Sequence, residues 1–107
     1  MRGGSAFFYL HMDYTSKHWK HLRARVLREQ PLCQEALRYG QREPATVAHH
    51  VYPVEDFPGW QWCRWNLIAV SADAHNSFHD RVTGKLTERG LAWQRRVSPP
   101  RNAPPPF

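Results

Sequence analysis

Two histidines stand side by side at His49 and His50, an asparagine follows at Asn66, and two more histidines sit four residues apart at His75 and His79. Four of the seven histidines of a small basic chain are thus gathered in about a third of its length. A neutral imidazole is a good ligand for zinc, nickel and related divalent ions, whereas magnesium prefers oxygen. An imidazole with an ordinary pKa of about 6.5 can also take a proton from water near neutrality. If one member of the His49/His50 pair binds an ion, the other can stay unligated and act as general base. The ion meanwhile polarises a phosphoryl oxygen and stabilises the leaving oxygen. Asn66, which can donate and accept, could orient the base by bonding across to the segment that carries the pair. The chemistry these residues suit is a metal-assisted attack on a phosphodiester.

Such roles need elements that hold the residues. The β-branched and apolar content of Thr46 to Val51 predicts a short strand ended by Pro53, which fits only a strand edge or a turn. Residues 55–60 form a turn-rich loop, and Asn66-Leu67-Ile68-Ala69-Val70 predicts a second short, buried strand. Ser71 can cap a helix running from about Ala72 to Val82, with Gly84 after its end. On that helix His75 and His79 share a face, the spacing by which two imidazoles bind one ion. A third ligand must then come from the first strand, from His49 or His50 but not both on one side, because adjacent strand residues point to opposite faces.

Upstream, Trp19, Leu22 and Val26 recur at helical spacing between Thr15 and about Arg28, with Ser16 as N-cap and Pro31 as the stop. Lys and Arg fill the remaining surface of this amphipathic helix. A shorter helix fits Cys33 to Tyr39, with Gly40 behind it. The segment 98–107, rich in proline, can sustain neither a helix nor a ladder and is expected to be a flexible tail. No internal repeat is visible. The fold expected is α+β: a single domain over residues 1–97 with its motif core at about 46–82.

A length of 107 residues bounds the chain to one modest core. The formal charge of +6 and a pI near 9.9 favour a polyanionic partner, since Lys and Arg that neutralise phosphates release counterions. Two cysteines, Cys33 and Cys63, give no disulfide framework beyond a single possible bridge and point to a reducing compartment. The first residues lack the length of a signal segment, and nothing approaches about 18 continuous apolar residues, so a cytoplasmic protein without a membrane span is expected.

Three strings carry a resemblance: Val47-Ala48-His49-His50-Val51-Tyr52-Pro53-Val54, Trp65-Asn66-Leu67-Ile68-Ala69-Val70 and Ala74-His75-Asn76-Ser77-Phe78-His79. Together they resemble the His-Asn-His (HNH) endonuclease family with its ββα-metal fold, and most of all its small bacteriophage-type members. The likeness extends over about Tyr9 to Arg81. It implies a DNA endonuclease in a bacterial or phage-infected cell, with one divalent ion (Zn, Ni, Mn or Mg) held by His49, His75 and His79. It implies His50 as general base and Asn66 as the residue that fixes the loop and the base. Nicking or double-strand cleavage, and a place in phage DNA packaging or processing with packaging proteins as partners, would follow. Arg81, Arg64 and Arg23 are the candidate phosphate contacts; His11, His18 and His21 read as surface residues.

Many phage-type relatives carry two Cys-x-x-Cys pairs that bind a structural zinc. Here those positions are Cys33 with Ala36 and Ser71 with Ala74, so only one of the four thiols is present and no structural zinc is expected. Trp60, Trp62, Trp65 and Trp93 are the candidates to replace it by packing. Two other functions compete. A non-catalytic, metal-stabilised DNA-binding module would bind DNA and leave plasmid intact, and a packaging accessory protein would act without His50.

Overall fold

Ser16 opens the first helix, α1 (Lys17–Glu29), in a computed structural model that describes residues 12–107. Its hydroxyl accepts from the Trp19 N–H, satisfying one of the donors a first helical turn leaves free. Trp19 and Val26 are buried on the inner face, and Leu22 and Leu27 pack beside them. After Pro31 a short helix, α2 (Gln34–Leu37), is capped by the Cys33 sulfur, which accepts from the Ala36 N–H at 3.5 Å.

Strands β1 (Val47–His50) and β2 (Leu67–Val70) pair antiparallel, with Ala48 opposite Ala69, His49 opposite Ile68 and His50 opposite Leu67. Alternation sorts their side chains to two faces. Ala48, Leu67 and Ala69 pack with Trp19 and Val26 under α1. Ile68 and Val70 pack on the other face with Cys33, Ala36, Val51, Phe78 and Trp93. Helices therefore cover both sides of a two-stranded sheet, which is why all of β2 is buried. The free edge of β2 is closed as well: the Gln30 side chain accepts from the Ala69 N–H at 2.9 Å.

The helix after β2 differs from the sequence expectation. It is α3 (Ala72–Ser77), capped by Ser71 as expected, and it stops five residues before Val82. The Ser77 and Phe78 carbonyls, which a longer helix would use, accept instead from the Thr87 hydroxyl at 2.7 Å and the Thr87 N–H at 2.9 Å. Asp80 draws the Val82 and Thr83 N–H groups to its carboxylate, both at 2.8 Å, and Gly84 closes the turn at φ 74°. His79 thus lies on a bridge to Leu86, off the helix.

A further helix, α4 (Glu88–Arg96), was absent from the sequence expectation. Its N-cap Thr87, Glu88 in the first turn and Arg95 and Arg96 in the last were the available signals; Gly90, a poor helix former, masked them. Gly90 is needed there, because a Cβ would meet the Phe78 carbonyl oxygen at 2.7 Å.

The expectation of a flexible tail at 98–107 also needs correction. Trp60 Nε1 donates to the Pro104 carbonyl at 2.7 Å and the Gly59 N–H to the Pro106 carbonyl at 2.7 Å. Proline lacks a donor but keeps its acceptor, so a proline-rich segment can dock through carbonyls alone.

The positions that the family resemblance assigns to zinc-binding pairs do come together. Cys33, Ala36, Ser71 and Ala74 line one small hollow, with Cys33 Sγ 3.7 Å from Ser71 Oγ. One thiol and one hydroxyl do not fit structural zinc. Beside them, Glu35 accepts from Arg89 Nη2 at 2.6 Å, Arg38 Nη1 at 3.0 Å and the Trp93 indole at 3.2 Å. Burial pushes the Glu35 carboxyl up, but the bonds from Arg89, Arg38 and Trp93 more than reverse it and leave it below its ordinary value. Trp93 thus serves this corner; Trp60 and Trp65 join a separate aromatic group with Tyr52, and Trp62 stacks on His18. Both cysteines are free.

Candidate functional site

His49 enters the site from β1 on the face that meets α3. It is 1% exposed, with its ring centroid 4.9 Å from Phe78, 5.2 Å from His75 and 5.5 Å from His79. His75 and His79 are themselves 4.9 Å apart, so the shortened helix does not separate them. One ligand atom from each of the three lies within 4.8 Å of the others. Among the described residues, His49 Nε2 is the buried side-chain nitrogen or oxygen left without a partner. An orphaned donor or acceptor there costs about 1 to 3 kcal/mol, a cost that a bound ion would remove.

The protonation states suit such an ion. Burial, and then the charges of His75, His79 and His50, hold His49 well below its ordinary value. Burial, followed by His79 and His50, lowers His75 as well. At neutral pH both rings are therefore uncharged, the form that binds metal. His79 Nδ1 donates to the Gly84 carbonyl at 3.1 Å, which leaves Nε2 with the lone pair.

His50 faces the other way. Its ring stacks on Trp19 at 5.4 Å, and Nε2 donates to the Gln61 carbonyl at 2.9 Å. A carbonyl can only accept, so the proton sits on Nε2 and Nδ1 carries the lone pair. Burial lowers the pKa of His50, and the Gln61 bond partly restores it.

Asn66 is fully buried at the end of a 3-10 turn (Arg64–Asn66) that leads into β2. Its Oδ1 accepts from the Tyr52 N–H at 2.8 Å, and its Nδ2 donates to the Tyr52 and Trp60 carbonyls at 3.0 and 3.2 Å. The sequence expectation is that Asn66 bonds across to the first strand and fixes the loop and the base. Its bonds tie the segment after β1 to the loop before β2, and on that loop the Gln61 carbonyl accepts from His50 Nε2.

One cleft of about 470 Å³ is lined by His49, His50, His75 and His79 together with Trp19, Arg23 and Glu55. Arg23 lies on its rim and donates to the Thr46 carbonyl at 2.9 Å. Arg81 lines the adjoining hollow with His75 and His79. Arg64 lines neither: it bridges Glu29 Oε1 at 2.7 Å and the Leu67 carbonyl at 2.8 Å, which ties α1 to β2. Of the other histidines, His18 stacks on Trp62 and His21 is exposed on α1; His11 lies outside the described residues.

Sequence reasoning missed the Gln61 and Gly84 carbonyls, because any residue supplies a carbonyl and no side-chain signal marks one. Trp19 was placed on the inner face of α1, but nothing in its spacing said that His50 would stack on it.

No protein-family model matches the chain, and no curated protein matches it. Its structure is similar to the crystal structure of a deep-sea thermophilic bacteriophage GVE2 HNH endonuclease with manganese ion. The TM-score is 0.57 at 25% sequence identity, over 70% of this chain and 78% of that one. The resemblance to the HNH endonucleases carried by the histidine and asparagine strings is thus met by a resemblance in structure.

Proposed function

We infer that this chain is a metal-dependent endonuclease that hydrolyses phosphodiester bonds in DNA. The observation that carries the reading is the unpartnered, buried His49 Nε2 among the ligand atoms of His75 and His79, with a carbonyl-held His50 in the same cleft. His49, His75 and His79 would hold a divalent ion. When bound, that ion supplies Lewis-acid polarisation of the phosphate and stabilises the departing oxygen.

The remaining work belongs to the chain. His50 Nδ1 takes a proton from the attacking water, whose oxygen bonds to phosphorus as the bond to the leaving oxygen breaks. The Gln61 carbonyl fixes the tautomer that keeps Nδ1 basic and stabilises the positive charge the ring acquires. Asn66 positions, through Tyr52 and Trp60, the loop that carries Gln61. Arg23 at the cleft and Arg81 in the adjoining hollow would meet the flanking phosphates. A DNA backbone suits the net charge of +6, and the manganese of the GVE2 structure makes manganese a natural first ion to try. The donor set of three imidazoles is equally suited to zinc and nickel. Among the described residues, no helix is long and apolar enough to cross a membrane. A role in phage DNA packaging or processing is part of this reading.

Supercoiled plasmid incubated with wild type and His50→Ala across magnesium, manganese, nickel and zinc tests it. Nicking or linearisation by wild type, abolished by chelator and by His50→Ala, is the expected result. Intact plasmid with every ion, or undiminished cutting by His50→Ala, would overturn the reading.

A further inference from the structure

The docked segment 98–107 touches the loop that holds His50. Trp60 carries the indole bonded to Pro104, and the next residue is Gln61, whose carbonyl accepts from His50 Nε2. The Gly59 N–H is bonded to Pro106. The approach is close enough to require glycine: a Cβ at Gly59 would meet the Pro105 carbonyl oxygen at 2.0 Å. Beneath the proline carbonyls Trp60 is wedged among Phe57, Tyr52 and Trp65, its ring centroid 5.2, 5.2 and 5.1 Å from theirs, and Phe107 lies over Phe57 at 6.3 Å. An indole N–H and an aromatic floor are the features by which a preformed proline-rich strand is bound. Ala103 N–H to Pro100 carbonyl, at 2.9 Å, makes the turn that sends the chain back over the loop after α4.

The loop has bonds of its own as well: the Phe57 N–H donates to the Pro53 carbonyl at 2.8 Å and the Trp60 N–H to the Phe57 carbonyl at 3.0 Å. The Trp60 carbonyl accepts from Asn66 and from the Cys63 N–H at 3.2 Å, while Gln61 binds within its own turn, through Nε2 to the Pro58 carbonyl. Gly59, in that turn, is held from outside by the tail.

We propose that segment 98–107 is a positioning strap for the general base: by docking on Gly59 and Trp60 it sets the Gln61 carbonyl that orients His50. The proposal rests on the endonuclease reading, and touches the base and not the metal ligands. Its elements are a proline-rich ligand and an aromatic groove within one chain, so a second molecule of the ligand can replace the first.

Three proteins test it: wild type, a truncation ending at Val97, and Gly59→Ala, which obstructs docking without removing residues. The expected result is a fall in kcat of about tenfold to a hundredfold in both variants, a fraction of what a general base contributes. KM for plasmid and the affinity for manganese stay within about twofold, because Arg23 and the three ligands are untouched. A synthetic peptide of residues 98–107 should restore kcat of the truncated protein in a saturable manner, which a merely destabilised protein would not show. The second readout is the His50 Nε2–H proton signal by NMR, expected in wild type, lost in both variants, and regained with peptide in the truncated protein but not in Gly59→Ala. Truncated protein with wild-type kcat and an unchanged Nε2–H signal would overturn the strap while leaving the nuclease reading standing. If wild type cuts nothing, the nuclease reading fails, and the imidazole signal still decides whether the strap sets His50.

Discussion

His49 and His50 are neighbours in sequence and opposites in environment. His49 is enclosed by Phe78 and two other imidazoles, and its Nε2 has no partner. His50 lies on Trp19 with its Nε2 bonded to a backbone carbonyl. Burial pushes both pKa values down, but at His49 the neighbouring histidines push further, whereas at His50 the Gln61 bond pushes back. The strand pleat makes this division: one residue of the pair is turned into a cluster of imidazoles, and the other toward a carbonyl that fixes its tautomer. A ligand and a base can therefore be adjacent without competing for one ion.

The sharpest way to break the comparison is to remove each side in turn. His50→Ala should lower kcat by about a hundredfold to ten-thousandfold while manganese binding, read by calorimetry, is retained. His75→Ala should abolish cleavage by the other route, with manganese affinity falling at least about a hundredfold. His75 is the better choice than His49, because it is only half-buried and its loss leaves no large void in the core. Loss of metal in His50→Ala, or full metal binding in His75→Ala, would dissolve the distinction.

Asn66 tests what holds the two sides in register. Asn66→Ala would strand the Tyr52 N–H and the Tyr52 carbonyl in the interior and leave the Trp60 carbonyl with the Cys63 N–H alone, at a cost of about 3 kcal/mol in denaturant unfolding. Cleavage should fall beyond the loss of folded protein, because both segments it ties lead to His50. A stable Asn66→Ala protein with normal kcat would show that the Gln61 loop holds itself.

These features were unequally legible in the sequence. Ser16 and Ser71 announced their helices, and the alternation in both strands placed His49 and His50 on opposite faces, because caps and pleats are local. The end of α3 was misplaced because Asp80 and Thr87 compete for its backbone groups, and Thr87 is ten residues from Ser77. The pairing of Arg64 with Glu29, 35 residues away, took a candidate phosphate contact into the frame by the same kind of distant partner. The tail was read from what proline cannot donate, and its docking depends on what it can accept. The cluster of His49, His75 and His79 was legible since it needed only the approximate end of one short helix.

Acid separates the histidine face from the Glu35 corner, and here the expected effect is smallest. His49, His50 and His75 bind protons less readily when folded than unfolded, so below their ordinary value of 6.5 the unfolded chain takes up more protons than the folded one. Stability of the metal-free protein should then fall as pH drops from 6.5 toward 5. Glu35 acts with the same sign in a lower window: its pKa is also lowered by folding, so its contribution is intact above 4.5 and lost only below. A decline of about 1 to 2 kcal/mol between pH 6.5 and 5, present in Glu35→Ala and reduced in His75→Ala, is the expected pattern. Glu35→Ala should itself cost only about 2 kcal/mol at neutral pH, because Arg89 is half exposed and its charge returns to water. A flat stability profile from pH 6.5 to 5 in the metal-free wild type would mean that the imidazoles accept protons without penalty. Burial of His49 among the other imidazoles would then not hold its pKa down.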